Sequence, residues 1–328
     1  MQQGWERRHP QLMLDNATLV EMLAPVFPGK AIATAEALSG GLANTNYKVT
    51  LAGRNEPVVV RIYTREPEAC QKELDIYHLV HERVRMAEVL YADVEGRIGG
   101  RPYMVTGWVD GVKLDALLEN GSGIETRSVG NAVGETLAAI ASFHFPQAGF
   151  FGPELRIAVP FDGVRASWQG YVEGMLSETL VQERLGKELA LRLQRLIRKH
   201  AALLDSAEGR VSLVHGDYKA QNLLLRRTGE AWEMAAALDW EFATAETILY
   251  DLAILLRYRA TLSPEFEAGV VEGFCGNGGY LPMEWSNITR LLDLVNLLTF
   301  LNMPERGGAM VDDVTRLVRA TVADFVTA

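Results

Sequence analysis

Apolar and polar residues alternate along the first third of the chain, whereas most of the remainder has apolar residues three and four positions apart. A period of two is typical of strands with one buried face, and the longer spacing is typical of amphipathic helices. The pattern predicts a short opening helix, three strands, a second helix and two more strands. The helices are placed at 17–27, ended by Pro28, and at Pro67–Val84, and the strands at Ala31–Leu38, Asn46–Leu51, Pro57–Tyr63, Glu88–Asp93 and Pro102–Val109.

From Gly111 onward the pattern is mainly helical. Helices are predicted at Ser128–Phe143, Pro160–Leu180, Gln182–Asp205, Ile248–Arg259, Pro264–Cys275, Met283–Leu301 and Asp312–Thr327. They are interrupted only by three short apolar runs, predicted as strands at Val211–Val214, Leu223–Leu225 and Ala235–Leu238. This layout predicts an α+β protein of two lobes, residues 1–106 and 107–328, joined by a hinge at about 106–111. A cleft between two lobes is a usual place for a ligand.

Composition and charge limit the classes of partner that the chain is expected to bind. The chain of 328 residues has 48% hydrophobic and 23% charged residues, as an ordinary globular protein does. Its net charge of −10 argues against a general nucleic-acid binder and is compatible with a cationic substrate. No secretory signal is visible at the N-terminus, and no apolar stretch is long enough to cross a bilayer. We therefore expect a cytoplasmic monomer or homodimer that binds neither nucleic acid nor membrane.

Residues 211–241 carry the strongest chemical signal. Asp217 follows His215-Gly216, Asn222 comes five residues later, and Asp239 ends a second apolar run. A carboxylate beside a hydroxyl can accept its proton, which makes Asp217 a candidate general base. Magnesium prefers hard oxygen ligands and uses few protein groups, so Asn222 and Asp239 are candidate metal ligands. The alternative is that these residues only cap turns.

A glycine-containing loop precedes the second predicted strand. Glycines let a backbone approach phosphate closely, and exposed N–H groups can cradle it, although a simple Gly-Gly hairpin turn would look the same. The candidate phosphate-binding residues of this loop are Ser39, Gly40, Gly41, Asn44, Thr45 and Asn46.

Arg61 is a single cation inside a predicted apolar strand. Burial of a guanidinium is costly without a partner, and Glu73 on the following helix is the predicted partner. Glu68 and Glu82 lie on the same helix and stay open as alternatives. A surface arginine on an edge strand is the other interpretation.

The run from His215 to Asn222, with Asp239-Trp240-Glu241 after it, resembles the catalytic region of the aminoglycoside phosphotransferase and choline kinase superfamily, relatives of the protein kinases. The resemblance spans about residues 30–328 and implies a bilobal protein-kinase-like fold. That fold has a five-stranded antiparallel N-lobe with one helix and a mainly helical C-lobe. The resemblance makes Asp217 the base, makes Asn222 and Asp239 ligands of Mg²⁺, and gives His215 and Asp251 structural roles.

The resemblance also implies ATP or GTP as phosphoryl donor. An adenine ring would bind the hinge through the Gly107 carbonyl and the Val109 N–H. The side chains of Leu38, Val49, Val60 and Leu224 are the candidates to pack against that ring, although plain core is the favoured interpretation of each one taken singly. The chain departs from the kinase pattern because it has no GxGxxG and has Arg61 where kinases carry lysine, so the phosphate geometry should differ.

The expected activity is transfer of the γ-phosphate to a hydroxyl of a small molecule, with an aminoglycoside-like or other antibiotic as the first candidate. A metabolite such as choline, homoserine, a methylthio-sugar or a fructosamine is the alternative. An inactive binding module with this fold is a third possibility. The acidic residues of the helical part are expected to be mostly solvated, with a subset available for a cationic substrate: Asp162, Glu173, Glu178, Glu183, Asp293, Glu305, Asp312 and Asp313.

Overall fold

The computed structural model describes residues 12–38, 44–120, 123–304 and 307–327. The strands are β1 Ile32–Ala37, β2 Thr45–Leu51, β3 Val58–Ile62, β4 Val89–Asp93, β5 Tyr103–Gly107, β6 Val112–Lys113, β7 Gly149–Phe151, β8 Ile157–Pro160, β9 Ser212–Val214, β10 Leu223–Thr228, β11 Ala231–Ala237 and β12 Thr244–Glu246. The helices are α1 Asn16–Leu23, α2 Ala69–Val80, α3 Leu114–Asn120, α4 Gly123–Ala141, α5 Val164–Ser177, α6 Thr179–Leu185, α7 Lys187–His200, α8 Leu249–Leu255, α9 Pro264–Gly276, α10 Trp285–Leu301 and α11 Gly308–Thr327.

The N-terminal lobe is built on an antiparallel sheet of five strands in the order β1-β2-β3-β5-β4. One face packs on α1 and forms a core that includes Tyr47, Val49 and Val60. The other face packs on the start of α2 through Tyr63 and Met104. The fold class predicted from the sequence is therefore confirmed for this lobe, five strands and α2 included.

The opening helix is shorter than predicted. Asp15 caps its start by accepting the Thr18 N–H at 2.8 Å, and the helix ends at Leu23 instead of running to Pro28. Pro25 has no N–H to donate to the Glu21 carbonyl, so the helical hydrogen-bond series cannot continue through it.

The C-terminal lobe contains more strands than the sequence pattern indicated. β6 pairs with β10, and β7, β8 and β12 join β9 in a sheet of order β8-β7-β12-β9. The prediction of a helix at Pro160–Leu180 is wrong at its start, because Pro160 ends β8 and the helix begins at Val164. The predicted helix Gln182–Asp205 is divided at Gly186, whose φ of +73° belongs to the region that favours glycine.

Most of the remaining core lies among the helices, where α4 and α9 pack with their backbones in contact. A Cβ on Gly130 or Gly134 would overlap the backbone of α9. This close packing places α4 beside the segment after β9, where the Tyr218 hydroxyl donates to the Val133 carbonyl at 2.9 Å. Within the described residues, no helix is both long enough and apolar enough to cross a membrane.

Candidate functional site

Residues 215–222, which we term the HGD loop, follow β9 directly. The buried carboxylate of Asp251, in α8, accepts the His215 N–H at 2.7 Å and the Gly216 N–H at 2.9 Å. Burial raises the pKa of Asp251 to about 7, and these two hydrogen bonds act against that rise. The structural role expected for Asp251 is confirmed by this pair of contacts.

His215 is fully buried and holds two parts of the site together. Its Nδ1 accepts the Asp217 N–H at 3.2 Å, so the ring proton lies on Nε2, which donates to the Leu238 carbonyl at 3.0 Å. Burial lowers the pKa of His215 to about 4, which keeps the ring neutral near pH 7. The geometry agrees with a structural hydrogen-bonding group.

Gly216 gives the HGD loop its shape. Its φ is +78°, and a Cβ at this position would overlap the carbonyl of Phe242. A glycine is therefore required here both by the backbone conformation and by the close approach of a neighbouring chain segment.

We expect Gly216→Ala to lower the free energy of unfolding by about 2–5 kcal/mol, the sum of a left-handed backbone and overpacking. Gly209→Ala is the matched control, since Gly209 has a φ of +77° and open space around it. The control should lose only about 1–2 kcal/mol. Urea unfolding of both variants measures the difference, and equal losses would contradict a steric role for Phe242.

Asp217 lies in the cleft between the lobes with two donors on one oxygen. Its Oδ2 accepts from Lys219 Nζ at 2.6 Å and from Asn222 Nδ2 at 2.9 Å. Oδ1 accepts no hydrogen bond from the described part of the chain, so it can face a bound hydroxyl. Burial raises the pKa of Asp217, and the Lys219 ammonium opposes the rise. The sequence analysis did not identify Lys219, although its spacing from Asp217 could have suggested it.

Asn222 joins the HGD loop to the end of β11. Its Nδ2 also donates to the Asp217 carbonyl at 2.9 Å, which leaves its side-chain oxygen on the opposite side of the amide. Its backbone carbonyl accepts the Leu238 N–H at 2.9 Å. Asn222 and Asp239 therefore lie at the ends of adjacent strands.

Asp239 has an unusual backbone conformation for a residue with a side chain, with a φ of +71°. Its Oδ1 accepts from Arg61 Nη2 at 2.5 Å. Burial would raise the pKa of Asp239, but the Arg61 guanidinium outweighs it and holds the pKa below the usual range. The carboxylate is therefore ionised at neutral pH.

Arg61 connects the two lobes. The same Nη2 donates to Glu73 Oε1 at 2.8 Å, and the Tyr63 hydroxyl donates to Glu73 Oε2 at 2.8 Å. Burial lowers the pKa of Arg61, but the two carboxylates outweigh it and raise the pKa well above the usual range. The predicted partner, Glu73, is confirmed as a contact of Arg61.

The predicted phosphate loop is described only in its second half, since Ser39, Gly40 and Gly41 lie outside the described residues. Asn46 is paired with Arg61 across β2 and β3, and its buried Oδ1 has no partner within the described ranges. The Thr45 hydroxyl accepts the Leu12 N–H at 3.1 Å, so its side chain points away from the cleft. Of the two neighbours, Asn46 is the one whose side chain shares the face of Arg61.

Asn44 contacts a residue that the sequence analysis did not single out. Its Nδ2 donates to Glu241 Oε2 at 2.8 Å, and its side-chain oxygen accepts the Thr64 N–H at 3.2 Å. Glu241 lies with Glu73 and Asp239 in a group whose carboxylate oxygens are within 4.8 Å of one another. Burial, and then the Asp239 charge, raises the pKa of Glu241 to about 7.

The hinge follows β5. Its end is fixed by β6, where Val112 pairs with Leu225 of β10. Val109 N–H donates no hydrogen bond to another described residue, which leaves it free for a ligand. Val49 and Val60 are both fully buried on the α1 face of the sheet, so they are core residues, the alternative favoured for each, and do not pack on an adenine ring. Val59 shares the cleft face with Arg61 and is the better candidate.

The oxygen donors fit a magnesium ion. The Asn222 side-chain oxygen and the ionised Asp239 carboxylate are hard ligands on neighbouring strand ends, and two protein groups suffice when phosphates and waters supply the others. Glu73 and Glu241 extend the negative charge around Asp239, and Arg61 balances part of it.

Comparison with protein families gives one match, to a family described as the phosphotransferase enzyme family, over residues 34–285. The matched segment contains all of the catalytic, nucleotide-binding and metal-ligand candidates. No match was found among curated proteins.

Solved structures show the same fold at low sequence identity. The crystal structure of aminoglycoside phosphotransferase APH(4)-Ia has 19% identity and a TM-score of 0.67, and the alignment covers 94% of this chain and 99% of that one. The kanamycin and GDP complex of APH(2")-IIIa has 17% identity and a TM-score of 0.68, with 93% and 98% covered. These matches confirm a bilobal fold with a five-stranded N-terminal sheet.

Proposed function

Because the chain belongs to the phosphotransferase enzyme family, we propose that it transfers the γ-phosphate of ATP or GTP to a hydroxyl of a small molecule. The observation that carries the proposal is the arrangement of three side chains: Asp217 in the HGD loop contacts Asn222, and Asp239, at the end of the adjacent strand, contacts Arg61. Each of the two half-buried carboxylates has its own cation, since Lys219 contacts Asp217 and Arg61 contacts Asp239, and these contacts orient them.

In the proposed reaction, the substrate hydroxyl lies against Oδ1 of Asp217. As the hydroxyl oxygen bonds to the γ-phosphorus, its proton passes to Asp217 and the bond to the β-phosphate oxygen breaks, releasing the nucleoside diphosphate. Magnesium, when bound, neutralises charge on the phosphates. Asn222 and Asp239 would hold it.

Arg61 would bind phosphate oxygens once a nucleotide enters. Its Nε is buried and has no acceptor within the described residues, and the Asn46 oxygen opposite it has no donor there. A guanidinium can offer two parallel N–H groups to phosphate, which a lysine cannot. The Val109 N–H and the Gly107 carbonyl remain the proposed contacts of the nucleotide base.

Structures with this fold support a nucleotide donor and a small hydroxylated acceptor. One is a ternary complex of a thermostable APH(4)-Ia variant with ADP and hygromycin B, and another is the GDP and kanamycin complex of APH(2")-IIIa. The proposal includes two classes of phosphoryl acceptor, an antibiotic and a metabolite.

The experiment is a nucleotide-consumption screen with magnesium, in which ATP and GTP are each tested against antibiotics, amino alcohols, hydroxy acids and sugars. We expect at least one compound to stimulate consumption, and mass spectrometry should find that compound heavier by one phosphoryl group. If nucleotide binds but no compound is phosphorylated, the kinase proposal is contradicted in favour of a binding module.

A further inference from the structure

A cavity of about 240 Å³ lies between the segment that ends α8 and the last two helices, α10 and α11. Its described lining contains several paired charges. The charged residues that line it are Arg257, Arg259, Arg290, Arg316, Asp293 and Asp324. We term it the arginine cavity.

The arginine cavity lies close to the proposed base. Asp251 of α8 holds the HGD loop, and Arg257 comes six residues later, roughly 9 Å along a helical segment. Burial lowers the pKa of Arg257, but Asp293 foremost, with Tyr258 and Asp217 adding to it, raises that pKa overall. The Asp217 charge therefore acts on Arg257, so the arginine cavity and the proposed base belong to the same part of the C-terminal lobe.

The carboxylates of the cavity are already neutralised. Asp293, expected from the sequence to be solvated, is buried and accepts from Arg257 Nε at 3.0 Å and Nη2 at 2.7 Å. Asp324 accepts from Arg290 Nε at 2.8 Å. Asp293 is thus buried against Arg257, whereas Asp324, paired with Arg290, has a half-exposed side chain.

Hydrogen-bond donors, in contrast, are in excess. Arg259 and Arg290 converge on one acceptor, the Ser286 hydroxyl, at 2.9 and 2.5 Å. Arg259 also donates to Glu267 at 2.7 Å, yet its Nη2 is buried without a partner among the described residues. A buried charged donor that lacks an acceptor is costly, and an oxyanion would satisfy it.

The electrostatics agree with the geometry. Burial lowers the pKa of Arg259, Glu267 opposes this, and the nearby Arg290 charge lowers it further. Two guanidinium groups held this close to each other are stabilised by a negative charge between them.

We propose that the arginine cavity binds an oxyanion, the carboxylate or phosphate group of the substrate, while Asp217 acts on a hydroxyl of the same molecule. This inference rests on the proposed function and gives its acceptor a chemical class, an acidic hydroxyl compound. It disfavours polycationic acceptors, because both lining carboxylates are already paired with arginines and Arg259 has a donor without an acceptor among the described residues.

The test measures binding of inorganic phosphate and of glutarate to the full chain by isothermal titration calorimetry at constant ionic strength. We expect saturable binding of at least one anion, weakened at least about ten-fold by Arg259→Gln, because that change removes a charged donor. Binding of phosphate alone assigns a phosphate group, and binding of glutarate alone assigns a carboxylate. No saturable binding of either anion to the wild type overturns the proposal.

A second variant guards against misfolding of Arg259→Gln. Ala320 lines the cavity at an exposed position of α11, so Ala320→Glu adds a carboxylate while keeping all four arginines. Ala320→Gln is its matched control. We expect the glutamate to weaken anion binding and the glutamine to leave it within about two-fold of wild type. Unchanged anion affinity in Ala320→Glu also overturns the proposal.

The third measurement is the rate of nucleotide consumption with different acceptors. Hydroxy acids or sugar phosphates should stimulate nucleotide consumption, whereas their neutral amides or dephosphorylated forms should not. Preferential stimulation by aminoglycosides would overturn the cavity assignment and leave the kinase function standing. If the wild type binds the anion but does not bind nucleotide in the presence of magnesium, the proposed function is contradicted instead.

Discussion

Replacing Asp217 by asparagine should reduce the rate of phosphoryl transfer by about 10²–10⁴-fold, the usual contribution of a positioned general base. Asparagine keeps the size of the side chain and can still accept from Lys219, but it cannot take up the hydroxyl proton. Nucleotide affinity should stay within about two-fold, because the proposed contacts of the nucleotide are elsewhere. Steady-state kinetics with the best acceptor, together with a nucleotide titration, measure both quantities.

The pH dependence separates a base from a structural carboxylate. Burial raises the pKa of Asp217, so activity should be lost, as the pH falls, at a higher pH than for an ordinary aspartate. Lys219 lowers that pKa, so Lys219→Gln should move the acid limb of kcat/KM to still higher pH. A Lys219→Gln profile with an unmoved acid limb, or an Asp217→Asn variant with wild-type turnover, would remove Asp217 as the base.

The HGD loop could be located from the sequence because its chemistry is local. Asp217 and Asn222 lie in one short segment between apolar runs, and the glycine between His215 and Asp217 marks a tight turn. The pair of Arg61 and Glu73 was predictable for a similar reason, since a cation in a buried strand requires a nearby anion. Local spacing was enough in both cases.

Long-range pairings could not be predicted in this way. Asn44 and Glu241 are 197 residues apart, and nothing near either one in sequence indicates the contact. β6 has two residues and β12 has three, too few for an alternating pattern to be visible. Their pairing partners are distant in sequence, so these strands exist only through tertiary contacts.

The residues of β3 that face the cleft could be predicted from the sequence. Side chains alternate between the faces of a strand, so the residue that shares the cleft face with Arg61 is Val59 and not Val60. The same alternation separates Asn46, which faces Arg61, from Thr45, which does not. The buried positions of Asp293 and Arg257 were not predictable. Burial of either charge is costly without the other, and the two residues are far apart in sequence.

Asp239→Asn should abolish the magnesium dependence of nucleotide binding and weaken that binding by more than about 100-fold. Loss of a group that only supports a metal ligand costs about 10–100-fold, so loss of the ligand itself should exceed this range. Asparagine preserves the shape of the side chain but removes its charge. Calorimetric titration of a non-hydrolysable nucleotide, with and without magnesium, measures the effect.

Arg61→Met is the control that separates the two roles open to Asp239. If the carboxylate serves only to hold Arg61 at 2.5 Å, the two variants should lose similar affinity and both should keep their response to magnesium. If Asp239 is a metal ligand, the arginine variant keeps the magnesium response and the asparagine variant loses it. Because the Arg61 guanidinium now occupies one oxygen of Asp239, its removal should also make the carboxylate more available, so magnesium affinity in Arg61→Met should not fall. An equal fall of nucleotide affinity in the two variants, with the magnesium response kept in both, would assign Asp239 to the contact between the lobes and leave Asn222 without a partner ligand.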